Sequence, residues 1–208
     1  YQLGGQTLVK YTYVITTPLD IGYYELNVRF GDKNCKSRLA VAPERCFEAA
    51  GPDQRLWGYA VQLYSVRSKR NWGVGDFTDL ADLVKMCARC GASIIGLNPL
   101  NVLCHDFPEN ASPYQSISRL FLNPIYIDVE AVPEFVEQDK QLIEGVLAEV
   151  RSGELIQYNK VYPLKIKMLE KCFKRFLDGG NSSRRRAFDK FCGERGQDLD
   201  RLALFQTL

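Results

Sequence analysis

The chain has 208 residues, of which 46% are hydrophobic and 25% are charged, a composition typical of a globular protein with a sizeable core. Its 27 basic and 25 acidic side chains leave a net charge of +2, which gives no electrostatic reason to expect nucleic acid or an anionic membrane as a partner. No stretch approaches the roughly 20 apolar residues that a membrane-spanning helix needs. A neutral polar ligand fits this composition at least as well.

The cysteines and the chain ends bear on where the protein works. Seven cysteines are scattered without regular spacing, which argues against a secreted disulfide framework and favours free thiols in a reducing cytoplasm. We therefore predict a cytoplasmic protein. We also expect both ends to be cut from a longer chain, because Tyr1 is not an initiator methionine and the last apolar helical stripe reaches Leu208 without a Gly or Pro stop.

Residues 1–48 are predicted to form a β-rich domain. Residues Leu8 to Ile15 are rich in β-branched and aromatic side chains, and Gly22 to Phe30 alternates apolar and polar residues with the period of a half-buried strand. A turn signal at 31–34 and a short returning strand at 37–41 follow. So few strands indicate the remnant of a β-sandwich whose other strands preceded this chain.

After a turn-prone linker at 49–54 the pattern becomes α/β over a predicted segment 55–132. Residues 57–66 are predicted to form a buried strand, and 93–97 a second short one. Between them lies a helix that Asp76 caps and that Gly91 ends. A strand–loop–helix–strand unit begins a parallel sheet or a barrel, and one unit does not decide between them.

The rest of the chain is predicted to be mostly helical. Residues 125–132 alternate like a further strand, and 133–208 read as a helical subdomain. Four helices are predicted in that subdomain: Phe135–Val150, one that starts at Pro163, Ser183–Cys192 and one that starts near Gln197.

A long irregular segment, residues 98–123, follows the second strand. Within it, Ala111 to Arg119 packs hydroxyls, an amide and an aromatic ring into a proline-stiffened loop. Sugars are bound by short polar side chains and aromatic platforms, and loops after parallel strands are where barrel enzymes place their sites. From the residues alone, sugar binding and a structural loop whose Ser and Asn residues cap turns are about equally supported.

Other candidate residues carry less weight. Four aromatic residues surround the first strand and its loop, and Trp72, between Asn71 and Gly73, is predicted to be the most exposed. Carboxylates are plentiful, but none forms the pair that a glycosidase holds across one bond. Asp76, Asp79 and Asp82 fit the start of a helix, and Asp128 fits the polar face of a strand.

The remaining motifs favour ordinary structural roles. Cys87-x-x-Cys90 lies late in a helix, where a thiolate is not stabilised, and no second pair completes a zinc site, so ordinary core or surface cysteines are favoured over a redox or metal pair. A Cys104–His105 dyad is disfavoured because adjacent side chains rarely face each other. Gly73-x-Gly75 lacks the third glycine of a dinucleotide motif. Residues 184–186, three arginines, read as a solvated helix face.

Several segments together resemble the 4-α-glucanotransferase (amylomaltase) family. Residues 61–68, running into Asn71-Trp72-Gly73-Val74-Gly75-Asp76-Phe77, look like its first barrel strand and loop. Residues 95–100, the Ala111 to Arg119 loop and 121–129 look like its next strand and substrate loop. Residues 39–46 resemble the junction to the N-terminal β-domains of the longer bacterial members.

The resemblance implies an α/β fold, with a (β/α)8 barrel that is incomplete in this chain and carries an inserted helical subdomain. It implies retaining transfer of α-1,4-glucan segments without metal or redox cofactor. Ser112 and Tyr114 match positions that contact the glucan, Gln115 lies beside them, and we add Trp72 as a further candidate. No catalytic residue is assigned, because the family's carboxylates come from later strands. Asn101 stands where longer relatives often have His.

Three hypotheses follow. The main one is an N-terminal piece of a 4-α-glucanotransferase, inactive alone, with a maltooligosaccharide as its ligand and an oligomeric state that the sequence leaves open. The second is a non-catalytic glucan-binding module. The third is a thiol-redox protein that uses Cys87 and Cys90.

Overall fold

The computed structural model describes residues 2–7, 9–48, 55–104, 110–179 and 182–207. The chain divides into two compact units, Tyr1–Gln54 and Arg55–Leu208. The predicted segments 55–132 and 133–208 therefore lie in the same unit. Within the described ranges, no helix has the length and apolarity needed to cross a bilayer.

The first unit contains two antiparallel hairpins. Strands β1 (Gln2–Leu3) and β2 (Gln6–Thr7) form a short one, and β3 (Gly22–Phe30) and β4 (Lys33–Val41) form a long one. In β3, Tyr24 and Leu26 are half-buried between exposed neighbours, which confirms the predicted alternation for the first half of the strand. Val28 and Phe30, also predicted on the apolar face, are exposed.

The strand predicted from Leu8 to Ile15 is wrong for the residues that the structure describes. Residues 9–15 form no strand, and their large side chains, among them Tyr11 and Tyr13, are exposed. A strand needs a partner for its backbone N–H and C=O groups, and β3 is paired only with β4 in this unit. A high strand propensity is therefore not sufficient to form a strand when no neighbouring strand pairs with it. The sandwich stays a prediction.

The second unit begins with a parallel strand–helix–strand motif. Strand β5 (Gly58–Val61) pairs in parallel with β6 (Ile94–Leu97), and helix α1 (Phe77–Arg89) lies between them in sequence. Strand β5 is shorter than the predicted 57–66, because a 3-10 turn at Leu63–Ser65 follows it.

Helix α1 starts and ends where the sequence predicts. Asp76 accepts hydrogen bonds from the backbone N–H groups of Thr78 and Asp79, and the Asp79 carboxylate accepts one from the N–H of Asp76, which completes a capping box. Gly91 follows the C-cap residue Cys90 with φ of 78°, the left-handed conformation that ends helices.

The strand predicted at 125–132 is also wrong. The chain instead forms two 3-10 turns, Pro124–Tyr126 and Val129–Ala131. Asn123 and Asp128 cap these turns by accepting from the N–H groups two residues on. Local capping therefore takes precedence over an alternation that would favour a strand.

Three long helices complete the unit: α2 (Glu137–Ser152), α3 (Tyr158–Gly179) and α4 (Ser182–Thr207). Pro163 lies inside α3 rather than at its start. The helix begins earlier because Tyr158 and Val161 pack into the core. Helix α4 is kinked at Gly196, which has φ of 42° and ψ of −126°, near the predicted break before Gln197.

Two apolar clusters join the strand–helix motif to the long helices. One gathers Leu63, Val74, Ile125, Val150 and Val161. The other contains Trp72, Val129, Ile143, Leu147 and Met168. In each cluster, side chains of α2 or α3 pack against side chains of the loops that follow β5 and β6. The helices therefore fix the positions of those loops.

Candidate functional site

The loops after β5 and β6 meet at one edge of the ladder, because the carboxyl ends of parallel strands lie side by side. Buried Asn98, directly after β6, joins them. Its Oδ1 accepts from the backbone N of Leu63 at 2.8 Å, and its Nδ2 donates to the Tyr126 hydroxyl at 3.0 Å. One side chain thus connects both loops to the segment that follows them.

A long loop, residues 100–123, extends from this edge, and we call it the 100–123 loop. Backbone hydrogen bonds close its root like a short hairpin: Asn123 N to Leu100 O at 2.9 Å, Val102 N to Phe121 O at 3.0 Å, and Ile117 N to Val102 O at 3.0 Å. Its root is therefore rigidly held.

Asn101 takes part in holding that root. It forms an antiparallel bridge with Leu122, and its Nδ2 donates to the carbonyl oxygen of Arg119 at 3.1 Å. The Asn101 side chain therefore joins the two sides of the loop at its root.

The predicted glucan-contacting residues occupy one turn of this loop. The backbone N of Gln115 donates to the carbonyl oxygen of Ser112 at 3.1 Å, which closes a turn with Pro113 in its second position. Ser112, Tyr114 and Gln115 are exposed, and Tyr114 presents 73% of its surface. Their polar side-chain atoms have no hydrogen-bond partner within the part of the chain that the structure describes, so they are free to meet a ligand.

Trp72 is not exposed, which corrects the prediction. Only 2% of its surface is accessible. Its indole Nε1 donates to Glu130 at 2.9 Å and its ring lies edge-on to Phe135 at 6.1 Å. A buried ring offers no face to a sugar, so Trp72 is a core residue and not a binding residue.

Glu130 also has a charged partner. The Lys140 ammonium donates to it at 2.7 Å. Burial alone would raise the pKa of Glu130, but the hydrogen bonds from Lys140 and Trp72 outweigh it and hold that pKa below its ordinary value. Glu130 is thus a fixed anion that orients Trp72.

Arg70 is the centre of a buried charge cluster that the sequence did not indicate. Its guanidinium contacts Asp76 at 2.6 Å, Asp79 at 2.9 Å and Asp128 at 2.6 Å, and the hydrogen bonds with Asp76 raise the pKa of Arg70 further above its ordinary value. Thr78 Oγ1 also donates to Asp128 at 2.6 Å. Asp128 therefore lies in an ion cluster and not on the polar face of a strand.

Asp79 in this cluster is held by further hydrogen bonds besides its contact with Arg70. Burial opposes ionisation of Asp79, but hydrogen bonds from Asn71 and Ser68 hold the pKa of Asp79 below its ordinary value. Each of the three carboxylates is engaged by Arg70. Through Arg70 these contacts join the loop after β5 to the start of α1 and to Asp128.

Lys165 is a second charged residue that the sequence did not indicate. It is 1% exposed on α3, and its Nζ donates to the carbonyl oxygens of Ile125 at 2.6 Å and Ile127 at 2.9 Å. Burial lowers the pKa of Lys165 to about 8, although nearby Asp76 and Asp128 oppose that shift. It joins α3 to the turn that follows the 100–123 loop.

The described structure gives no support to a redox role for Cys87 and Cys90. All seven cysteines are free; Cys87 is buried and Cys90 is exposed at the C-terminal end of α1. The negative end of a helix disfavours a thiolate. His105 lies outside the described residues, so the Cys104–His105 pair stays without a structural description.

Comparison with known proteins decides the family. The model of the 4-alpha-glucanotransferase family matches residues 61–208. The chain belongs to the 4-α-glucanotransferase family. A 4-alpha-glucanotransferase of Haemophilus influenzae is 35% identical over 202 residues, which are 92% of this chain and 29% of the relative. One of Mycobacterium tuberculosis is 38% identical over 152 residues, 68% of this chain and 21% of the relative.

A solved structure extends the likeness to the fold. The crystal structure of amylomaltase from Corynebacterium glutamicum matches with a TM-score of 0.70 at 32% identity, over 87% of this chain and 26% of that one. The chain thus spans between about a fifth and three tenths of the length of these 4-α-glucanotransferase relatives.

Proposed function

We propose that these residues are the N-terminal part of a 4-α-glucanotransferase that transfers α-1,4-glucan segments to glucose or to another glucan. In this proposal they comprise the end of a β-sandwich, the first strands of a (β/α)8 barrel and a helical subdomain. The 100–123 loop contacts the glucan through Ser112, Tyr114 and Gln115. Family membership and the share of the relatives that the chain spans support this assignment.

The observation that carries the proposal is the exposed turn of the 100–123 loop. It lies on a braced loop at the carboxyl edge of the β5–β6 ladder, the edge at which barrel enzymes bind their substrates. The Tyr114 ring can stack on the apolar C–H face of a glucosyl residue. The Ser112 hydroxyl and the Gln115 amide can donate to and accept from sugar hydroxyls.

The transfer chemistry requires groups that we place outside these residues. A retaining transfer uses a carboxylate nucleophile, which forms a covalent glycosyl-enzyme, and a carboxylic acid, which protonates the leaving oxygen. A second sugar then displaces the enzyme in place of water. Because Asp76, Asp79 and Asp128 are engaged by Arg70, we propose that both groups come from later strands and that the 208 residues alone are inactive.

The same engagement of carboxylates favours a second candidate, a non-catalytic glucan-binding module. The coding sequence after Leu208 separates the two. Further barrel strands with an Asp and a Glu indicate the enzyme, and a stop codon indicates the module. For either candidate we propose a cytoplasmic location, because seven free cysteines suit a reducing compartment.

Replacement of Tyr114 tests the proposed contact. In the complete gene product that contains these residues, we expect Tyr114→Ala to raise KM for maltoheptaose by roughly tenfold with little change in kcat. A stacking ring outside the reacting centre contributes similar binding to substrate and transition state. Steady-state transfer kinetics measure both constants.

Tyr23→Ala is the matched control, because Tyr23 is also a largely exposed tyrosine and lies on β3, in the first unit. That variant is expected to leave both constants within about twofold of the unchanged protein. An unchanged KM in Tyr114→Ala would remove Tyr114 from the site.

A further inference from the structure

Asn98 is the first residue after β6, and both ends of its side-chain amide are engaged. It is 4% exposed. Its Oδ1 accepts from the backbone N of Leu63, and its Nδ2 donates to the Tyr126 hydroxyl and, at 2.8 Å, to the carbonyl oxygen of Pro99. A side-chain amide has two N–H donors, and both are used here. The amide is therefore held in one orientation between the loop after β5 and the turn after the 100–123 loop.

The partner on the side of β5 is a fixed point of the backbone. Leu63 is fully buried and opens the 3-10 turn Leu63–Ser65. The residue before it, Gln62, supplies no side-chain cap to this turn, so Asn98 gives the Leu63 N–H the acceptor that a cap residue would provide. Gly75 packs so closely here that a Cβ built on it would lie 2.0 Å from the carbonyl oxygen of Leu63.

The partner on the other side is the turn that follows the 100–123 loop. Tyr126 is also 4% exposed and lies in the 3-10 turn Pro124–Tyr126, which begins directly after the loop. Lys165 of α3 holds the same turn through two of its carbonyl oxygens. The end of the loop is therefore fixed by Asn98 from the strand and by Lys165 from the helix.

Backbone hydrogen bonds connect this root to the turn that is proposed to contact the glucan. Of the three that close the root, the one nearest that turn joins the N of Ile117 to the carbonyl oxygen of Val102 at 3.0 Å. Ile117 is only two positions after Gln115. A displacement of the root is therefore passed on to the Ser112–Gln115 turn.

We propose that Asn98 is a positioning residue for glucan binding. By joining the root of the 100–123 loop to the loop after β5, it sets the place of the Ser112–Gln115 turn. It acts through these loops and does not touch the glucan, because its amide is buried and both of its hydrogens are engaged. The inference rests on the proposed function, from which it takes the contact between that turn and a glucan.

Steady-state transfer kinetics of the complete gene product with maltoheptaose test this role. Asn98→Leu keeps the approximate size of the side chain and removes its three hydrogen bonds. We expect its KM to rise roughly tenfold while kcat stays within about twofold, because a contact outside the reacting centre is lost. Loss of stability alone would act differently: a smaller folded fraction lowers the apparent kcat and leaves KM unchanged.

Ile143→Ala is the control for stability. Ile143 is buried on α2, in the cluster around Trp72, so its truncation leaves a core cavity without removing a contact of Asn98. Its KM is expected to stay within about twofold of that of the unchanged protein. Circular dichroism confirms that each variant is folded.

A double-mutant cycle with Tyr114 shows whether Asn98 acts through the turn. Tyr114→Ala is expected to raise KM roughly tenfold in the unchanged protein but only about twofold in the Asn98→Leu background. The reason is that a misplaced turn has already lost the Tyr114 contact. Two residues that acted independently would instead show the full tenfold effect in both backgrounds.

Tyr126→Phe is a milder variant, which tests the proposal even if Asn98→Leu does not fold. It removes a single hydroxyl and with it one hydrogen bond of Asn98, and we expect it to raise KM about threefold. Tyr158→Phe is the matched control. Tyr158 packs against the same core cluster, and its hydroxyl has no hydrogen bond to any residue that the structure describes. Its KM is expected to stay unchanged.

The outcomes separate this inference from the proposed function. If Tyr114→Ala raises KM while Asn98→Leu and Tyr126→Phe do not, the glucan contact stands and the positioning role falls. Additive effects of Asn98→Leu and Tyr114→Ala also overturn the role. If Tyr114→Ala leaves KM unchanged, the proposed contact falls and the positioning role with it. A raised KM in Asn98→Leu that masks the effect of Tyr114→Ala, with both controls unaffected, supports the role.

Discussion

Lys165 shows how one buried cation can fix the position of a loop. Its ammonium group satisfies the carbonyl oxygens of Ile125 and Ile127, and Ile125 is the first residue after the Asn123–Pro124 cap. Removing the ammonium group would leave two buried acceptors without a donor, which costs about 1–3 kcal/mol for each unsatisfied group.

The lowered pKa of Lys165 predicts a specific pH dependence. Its pKa falls from an ordinary value of 10.5 to about 8 on folding. Between those values the unfolded chain holds a proton that the folded chain has released, so rising pH favours the folded state. The contribution of Lys165 to the free energy of unfolding should therefore increase from pH 8 to pH 10.5.

Urea denaturation of Lys165→Met at several pH values measures this effect. The variant should be less stable at every pH, and its deficit should grow between pH 8 and pH 10. Lys167→Met is the control, because Lys167 is exposed on the same helix, and its deficit should stay constant. A Lys165→Met deficit that does not change with pH would contradict the assigned pKa.

Which site residues could be predicted depends on how local their contacts are. The exposed turn that holds Ser112 and Tyr114 was predictable because Pro113 and short polar neighbours define it, and their contact with a glucan stays a prediction. Lys165 was not, because its partner Ile125 lies 40 positions away. Trp72 was predicted wrongly for the same reason: its neighbours favour a loop, but Glu130, 58 positions away, receives its indole N–H.

At the scale of elements, the loop after β5 contains a glycine, Gly73, that has both a positive φ and a close neighbour. Gly73 has φ of 78°, and a Cβ built on it would lie 2.6 Å from the carbonyl oxygen of Val150 in α2. Gly91 at the end of α1 has the same φ, but a Cβ there would have nothing within 4 Å. The two positions share a φ that disfavours other residues and differ in the space available to a Cβ.

Alanine at these two glycines separates strain from crowding. Gly91→Ala should lower the free energy of unfolding by about 1–2 kcal/mol, the cost of a left-handed non-glycine residue. Gly73→Ala should cost at least twice as much, because the backbone of α2 must also move. Urea unfolding followed by tryptophan fluorescence provides both values, and equal losses would contradict the close packing of Gly73 on α2.

The distinction between local and distant contacts also explains which elements the sequence predicted well. Helix α1 was predicted because its capping box and final glycine are local signals. The segment 125–132 was not, because two capped 3-10 turns and an alternating strand place similar residues at similar spacings. Helix α3 begins before Pro163 because packing of Tyr158 and Val161 extends it.

At the scale of the whole molecule, the carboxylates explain why this chain should not act alone. Asp76, Asp79 and Asp128 each contact Arg70, whereas a retaining transferase needs two carboxyl groups that face the scissile bond. The chain also spans only 29% of the Haemophilus influenzae relative. We therefore expect glucan contacts from these residues and the reacting groups from others.

Product analysis with maltotriose tests this account most directly. The complete gene product and the 208-residue chain are each incubated with maltotriose, and the products are separated by chromatography. The account predicts free glucose together with maltodextrins longer than maltotriose from the complete product, and neither from the 208-residue chain. Hydrolysis without longer products, or transfer by the 208-residue chain itself, would contradict it.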